Sequence, residues 1–412
     1  MNPDDMPTCS TCGDVVIYCT CIEKIMEEKM IRLSKCSLKK NEYNAVIKVL
    51  KSDYLGMGPV VNKFEKKLSK YLDAENVVAV NSCTAALHLT LAAKGFGSGH
   101  KFIVPTLTFA STIECGEYLG MEPVLVDSSD NSFLIDLNQI EDIVRNDGSV
   151  KAIIPVHYGG ESVDLVQIME IAEKYNLFVL QDAAHALETE YNGKKIGNTD
   201  HASAFSFYAN KNLTTGGEGG ALSTNDSALA DRIKKLSLHG ITKDGWDRYK
   251  TKGNWEYDIV ELGYKYNLTD FAASFGLWQI GHIDEWQKRR GEIVQQYTDG
   301  LNAVDGILLP KKCKGHSKHL FVIQLDHERW TISRDVFIDK MNARGIGLAV
   351  HYKPLHKLSY YQRKYDFDND CFPRANLLFQ SIVSLPIYPR LSNESINHII
   401  DNIVDLYNSH SK

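Results

Sequence analysis

The sequence predicts an α/β protein in which a large domain on a mainly parallel sheet is followed by a smaller α/β domain at the C-terminal end. Three observations lead there. Apolar, β-branched runs of strand length alternate with helix-like stretches, the pattern of crossover units that lay strands parallel. Those runs are apolar almost throughout, as strands are when helices cover both faces of their sheet. At 412 residues, moreover, the chain is longer than a single hydrophobic core usually grows. This reading divides it into a cysteine-bearing segment over 1–30, a large domain over 31–285 and a small domain over 286–412, with the first helix of the large domain placed against the small one.

The strand-like runs of the large domain are, in order, "NVVAV" from Asn76, "KFIVP" from Lys101, "EPVLVD" from Glu122, "KAIIPVHY" from Lys151, "LFVLQDAAH" from Leu177 and "ASAFSF" from Ala202. Between the first two, "TAALHLTLAAKG" sets Leu87 and Leu91 one helical turn apart, with Gly95 placed to end the helix. In "IDEWQKRRGEIVQQYTDGL", Ile283, Trp286, Ile293, Tyr297 and Leu301 recur at near-helical intervals, which predicts a long helix connecting the domains. Shorter strands follow, "HLFVIQL", "IGLAVHY" and "SIVSLPIYP", and then a helix whose apolar face is Ile396, Ile399, Ile400 and Ile403.

Composition removes several classes of function. Lys plus Arg number 46 against 52 Asp plus Glu, a net charge of -6, so the basic face that binds nucleic acid is not expected. No run of about 18 apolar residues occurs, so no membrane-spanning helix is expected. The acidic start "MNPDDMPTCS" lacks the apolar stretch of a secretory signal, and nine cysteines, an odd number, do not suggest a disulfide framework. A reducing cytoplasm is the expected location. Cys9, Cys12, Cys19 and Cys21, in "CSTCGDVVIYCTC", could supply four thiolates to a zinc knot, but the short loop between the pairs favours free thiols, and no metal is assigned.

Three segments could carry chemistry. In "AVNSCTAALHLTLAA" a strand ends at Asn81 and a helix opens near Thr84, so free backbone N–H groups and the positive helix end point at one spot, as phosphate binding requires; a plain Ser/Thr helix cap reads the same way. Asp182 falls at the carboxyl end of "LFVLQD", the edge where ligands bind in open parallel sheets. Lys211 follows "ASAFSF" and precedes Gly216, Gly217, Gly219 and Gly220. In a partly dry pocket its amine would have a depressed pKa and act as a nucleophile toward an aldehyde. A phosphate cradle, an acid for a pyridine nitrogen and an amine for a Schiff base are together what pyridoxal phosphate needs. The cluster "GFGSG" at Gly95 follows a helix and precedes a strand, the reverse of the order in a dinucleotide-binding dehydrogenase.

With those segments in place, "VNSCTAALHLTL", "VPTLTFASTIECGEYLGMEPVLVD", "DAAHALETEYNGKKIG", "FSFYANKNLTTGGEGGALST", "GYKYNLTDFAASFGLWQI" and "HYKPLH" resemble, in collinear order from about Ile31 to Tyr407, the DegT/DnrJ/EryC1/StrS family of nucleotide-sugar aminotransferases. The resemblance implies a fold-type-I pyridoxal-phosphate enzyme, passing through pyridoxamine phosphate in turnover and working as a homodimer with active sites at the subunit boundary. Residue by residue, it implies that Lys211 forms the Schiff base and shuttles the proton, and that Asp182 holds the pyridine nitrogen protonated. Ser82, Thr84, Ala85 and Ser206 are implied to bind the phosphate, Phe109 to stack on the ring and His185 to lie beside it. Asn267 is implied to reach the phosphate of the neighbouring subunit, and His351, Tyr352 and His356 to line the sugar pocket.

Family variants that remove a hydroxyl carry histidine in place of the lysine, and Lys211 argues against that chemistry. The implied reaction moves an amino group from L-glutamate to a nucleotide-linked keto sugar for glycan or cell-surface polysaccharide synthesis. The motif "AAHALETEY" and the glutamate of "GEGG" resemble 4-aminating members acting on a 4-keto-6-deoxyhexose, while a glycine loop one residue longer than usual after Lys211 points to a 3-keto sugar. A non-catalytic regulator or sensor, with the cysteine segment as its interaction module, is the reading from another class; intact Lys211, Asp182 and Ser206 weigh against it. For the cysteine segment, the purified protein and a Cys9→Ser, Cys12→Ser variant are expected to contain equal amounts of metal by elemental analysis; metal lost in the variant would establish the zinc knot.

Overall fold

The computed structural model describes residues 30–38, 40–242 and 257–412. The strands of the larger unit are β1 (Asn76–Val80), β2 (Lys101–Pro105), β3 (Glu122–Val126), β4 (Val150–Ile153), β5 (Phe178–Asp182), β6 (Glu190–Tyr191), β7 (Lys194–Lys195), β8 (Ala202–Ser206) and β9 (Gly220–Thr224). β6 and β7 make a separate hairpin, and the other strands form one sheet in the order β1-β9-β8-β5-β4-β2-β3. The pairs β8/β5, β5/β4, β4/β2 and β2/β3 are parallel, as the crossover pattern predicts. β5 and β9 are buried along their whole length, consistent with helices on both faces.

β9 departs from the sequence reading. "GALST" carries no apolar run, yet it lies antiparallel between β1 and β8. Its polar residues are satisfied inside the fold, Ser223 Oγ donating to the Gly197 carbonyl and Thr224 Oγ1 to that of His201. Because β9 runs against its neighbours, its first residue, Gly220, lies at the same sheet edge as the carboxyl ends of β1 and β8. The connection from Phe207 to Gly219 therefore stays at that edge instead of crossing a face. Gly220 is where β9 passes beneath the chain leaving β1: a Cβ added there would lie 2.4 Å from the Ser82 carbonyl carbon and 2.5 Å from the Cys83 nitrogen.

The smaller unit has its own antiparallel sheet of β10 (Ile307–Leu308), β11 (Phe321–Leu325) and β12 (Ile382–Leu385). Helix Ile283–Leu301 forms as its spacing predicts, and it buries Ile293, Tyr297 and Leu301 against Ile396, Ile399 and Ile403 of helix Asn393–His410. Ile400, expected on the same face, is partly buried beside this core. "IGLAVHY" is not a strand: it makes isolated bridges, Ile346 with Ile31 and, along the outer edge of β12, Ala349 with Ser384. The first described helix, Lys40–Leu50, packs on helix Asp270–Gln279 of the larger unit, not on the small sheet; it is the preceding Ile31 that reaches the smaller unit.

Gly220→Ala is expected to cost roughly 1–3 kcal/mol, because two backbones must separate to admit a methyl group. A melting temperature a few degrees lower in the cofactor-free variant would be the sign of it, and an unchanged one would contradict the close crossing.

Candidate active site

The carboxyl edge of the sheet opens into a cavity of ≈ 560 Å³. At one end, β1 runs through Asn81 to Ser82, which caps helix Cys83–Ala93 by accepting the Ala85 N–H at 3.0 Å. The first-turn N–H groups of Cys83 and Thr84 have no partner inside the helix, lie at its positive end and belong to residues that line the cavity. Ala85, expected among the phosphate donors, gives its N–H to Ser82 and does not line the cavity, so the helix-cap reading and the anion-site reading both hold, on adjacent residues. Ser206, at the end of β8, lines the same space.

Asp182 ends β5, and its carboxylate is buried. Oδ2 accepts from Thr112 Oγ1 at 2.8 Å and Oδ1 from the Ala184 N–H at 3.1 Å. Since Thr112 gives its hydrogen to Asp182, the 2.8 Å contact between Thr108 and Thr112 has Thr108 as donor, and the chain of hydroxyls fixes the carboxylate plane. Burial pushes the Asp182 pKa up, while the bonds from Thr112 and Ala184 and the nearby Lys211 pull it down.

Lys211 sits in the β8–β9 connection, its N–H bonded to the Tyr208 carbonyl at 3.0 Å. The returning side of this loop is Gly216 and Gly217, with φ of +91° and +150°, and the Gly217 and Gly219 carbonyls accept the N–H groups of Ala209 and Phe207. The glycines thus fold the loop back on itself and hold the lysine over the cavity. Burial pushes the Lys211 amine down to about 8, against the opposing influence of Cys83 and Asp182.

His185 lines the same cavity. Its Nδ1 accepts the Gly159 N–H at 3.2 Å and its Nε2 is 3.0 Å from Tyr352 Oη, so both ring nitrogens are engaged by protein. Burial, then the charges of Lys211 and His351, hold its pKa well below the ordinary value. Behind it lies a buried network the sequence reading missed. The His319 ring is 4.4 Å from that of His185, His319 Nδ1 is 3.1 Å from Asn212 Oδ1, and Asn212 Nδ2 donates to Glu188 Oε2 at 2.9 Å. Buried Arg290 donates to the Ile387 carbonyl at 3.1 Å, and Glu188 supports its charge. One signal was available: Arg290 falls at helical spacing within the stripe of Ile283, Trp286, Ile293 and Tyr297, and a charge on a buried face demands a partner.

Phe109 lines the cavity while remaining 60% exposed, and the Tyr352 ring lies 5.8 Å away. His351 also lines it, anchored by Nδ1 to Ser384 Oγ at 2.8 Å, and burial brings its pKa to about 4. His356 does not belong to the site. It is fully buried between Thr106 Oγ1 at 2.6 Å and Asn376 Oδ1 at 2.9 Å, stacked on Phe372, which is a structural role. Asn267 likewise lies outside this cavity; its Oδ1 accepts from Lys265 and its Nδ2 gives one hydrogen to the Leu268 carbonyl. Cys9, Cys12, Cys19 and Cys21 lie outside the described residues, and among the described residues no cluster suits a metal ion.

Pyridoxal phosphate fits these residues. Its phosphate needs the N–H donors and hydroxyl found at Cys83, Thr84 and Ser206, its ring nitrogen needs a carboxylate, and its aldehyde needs an amine with a lowered pKa. The close crossing at Gly220 keeps the helix start within reach of Ser206, which pairs with Gly220 across β8 and β9. Fold and site together are those of a pyridoxal-phosphate-dependent enzyme.

Residues 36–404 match the model of the DegT/DnrJ/EryC1/StrS aminotransferase family, and the chain belongs to that family. It is 40% identical over 370 residues, 89% of this chain and 94% of the relative, to the spore coat polysaccharide biosynthesis protein SpsC of Bacillus subtilis. Among solved structures it is similar to Spr1654 of Streptococcus pneumoniae in its PMP form, with a TM-score of 0.85 and 31% identity, covering 92% of this chain and 99% of that one. Helicobacter pylori PseC, an aminotransferase involved in the biosynthesis of pseudoaminic acid, gives a TM-score of 0.85 at 28% identity over 92% of this chain and 100% of its own.

Cofactor uptake by the cofactor-free protein, followed by absorbance, is expected to accelerate with pH about a midpoint near 8, because the amine reacts unprotonated. Asp182→Asn removes a carboxylate that helps retain the amine's proton, so the midpoint is expected to fall further. A midpoint near 10.5, the ordinary lysine value, would contradict the enclosure of Lys211.

Proposed function

We propose that this aminotransferase moves an amino group from L-glutamate to a nucleotide-linked keto sugar, a 4-keto-6-deoxyhexose, and so supplies an amino sugar for glycan or cell-surface polysaccharide synthesis. The observation that carries the reading is the convergence of Lys211, Asp182 and the start of helix Cys83–Ala93 on one cavity at the carboxyl edge of the sheet. The sugar is supported by the relatives: SpsC is a spore coat polysaccharide biosynthesis protein, and PseC serves the biosynthesis of pseudoaminic acid. When bound, the cofactor supplies an electron sink for the pair left on a carbon that loses its proton.

This chain's own residues do the rest. Lys211 would hold the cofactor through its aldehyde, and its amine, brought down to about 8, can take up and give back a proton near neutral pH as base and as acid. Asp182, held by Thr112 and the Ala184 N–H, would keep the ring nitrogen protonated, and that cation would give its buried carboxylate a charged partner. The N–H groups of Cys83 and Thr84, with the Ser206 hydroxyl, would hold the phosphate, and Phe109 would pack on the ring. His351 and Tyr352 border the sugar, and Glu218, in the long glycine loop, faces the same space. The enzyme works as a homodimer, with Asn267 serving the neighbouring subunit, and in the cytoplasm. No described helix is long and apolar enough to cross a membrane, and the described cysteines Cys36, Cys83, Cys115, Cys313 and Cys371 are free thiols, as a reducing compartment keeps them.

The test is an absorbance trace. L-Glutamate converts the bound cofactor to its amine form, the donor is removed, and a nucleotide-linked 4-keto-6-deoxyhexose is added. Return of the aldehyde-form band is the expected result. A band restored only by a 3-keto sugar would overturn the positional assignment. If no band ever forms, and Lys211→Ala changes nothing, the assignment of Lys211 fails.

A further inference from the structure

His185 can bond to its two neighbours in only one direction. A backbone N–H is always a donor, so the 3.2 Å contact from Gly159 leaves Nδ1 as the acceptor. A neutral imidazole with a bare Nδ1 carries its hydrogen on Nε2, and Nε2 is the atom 3.0 Å from Tyr352 Oη. The bond therefore runs from histidine to tyrosine. Having accepted there, the tyrosine oxygen keeps its own hydrogen for something else, and among the described residues its hydroxyl has no other partner. Both residues line the cavity.

The surroundings hold this arrangement. The rings of His185 and Tyr352 lie nearly parallel, 19° apart, and Tyr158 meets the Tyr352 ring edge-on at 89°. His319 backs His185, and its own direction is fixed as well. Asn212 Nδ2 donates to Glu188 and to the Ser317 carbonyl, so Asn212 Oδ1 must accept from His319 Nδ1. Two neutral imidazoles can then lie 4.4 Å apart, tilted by 32°, without charge repulsion.

We propose that Tyr352 is a hydrogen-bond donor to an acceptor oxygen bound in the cavity, and that His185 is the positioning residue that turns the tyrosine hydrogen toward it. Such an oxygen could belong to the cofactor ring or to the sugar; the sugar case rests on the function proposed above. His185, which itself lines the cavity, thereby also controls its neighbour. It also gives Tyr352 a stated preference, for an oxygen that accepts and against a group that can only donate.

The test uses the full-length, cofactor-loaded protein. With ¹⁵N-labelled histidine, the His185 signal, assigned by its loss in His185→Gln, is expected to be that of the neutral Nε2–H form across about pH 6 to 8. An Nδ1–H form or a protonated ring overturns the proposal, whatever the substrate. Tyr352→Phe then separates the two oxygens. A shift of about one unit in the pH titration of the cofactor's absorbance assigns the cofactor oxygen. An unshifted titration, with the keto-sugar half-reaction slowed about tenfold more than the glutamate half-reaction, assigns the sugar oxygen. Neither change overturns the donor role. His185→Gln keeps an N–H for Tyr352 and is expected to retain most of what His185→Leu loses; equal loss in both overturns the positioning role. A wild-type protein that accepts no nucleotide-linked keto sugar counts against the proposed function, and the tautomer and titration still decide the role of Tyr352.

Discussion

The geometry of the site depends on one reversal of chain direction. β9 enters between β1 and β8 antiparallel to both, and this keeps the connection that carries Lys211 at the carboxyl edge, where Asp182 and the helix start at Ser82 already lie. A parallel β9 would need a crossover of a dozen or more residues and would carry the loop across a face of the sheet. The reversal demands close approach, and Gly220, pressed against the Ser82–Cys83 backbone, is the residue that permits it. Gly216 and Gly217 then let the loop fold back with positive φ. The glycines after Lys211 thus divide between two tasks, turning the loop and letting two backbones cross.

Enclosing charge in that space sets the protonation states. Burial holds His185, His319 and His351 below the ordinary histidine pKa, so the imidazoles nearest Lys211 are neutral near pH 7. The lysine amine is lowered by the same enclosure, and Asp182 is raised by it. What remains is an amine brought down to about 8 and a buried carboxylate among neutral hydrogen-bonding groups, a setting in which the amine can gain or lose a proton without rearranging other charges. The Arg290–Glu188 pair lies farther back and supports Asn212, the residue after Lys211, so a buried charge serves to place the loop and not to react.

Much of this was legible in the sequence, for identifiable reasons. The parallel strands announce themselves because strands buried on both faces must be apolar throughout, and helix Ile283–Leu301 because its buried residues keep helical spacing. Lys211, Asp182, Ser82, Thr84, Ser206, Phe109, His351 and Tyr352 line one cavity, since each follows a strand end or a turn at the same edge. β9 was illegible because its burial is satisfied by serine and threonine hydroxyls bonded to distant carbonyls, a pairing no local pattern records. His356 misled because a histidine bonded to Thr106 and Asn376 has the same local sequence as one facing a ligand. The Glu188–Asn212–His319 chain was hidden for a related reason: its members are brought together only by the fold.

The central claim is that the amine held over the cavity at Lys211 is the one that engages the cofactor. Borohydride reduction of the cofactor-loaded protein, followed by peptide mass spectrometry, tests it directly. A phosphopyridoxyl group on the peptide containing Lys211 is the predicted result; the group on another lysine, or on none, would contradict it.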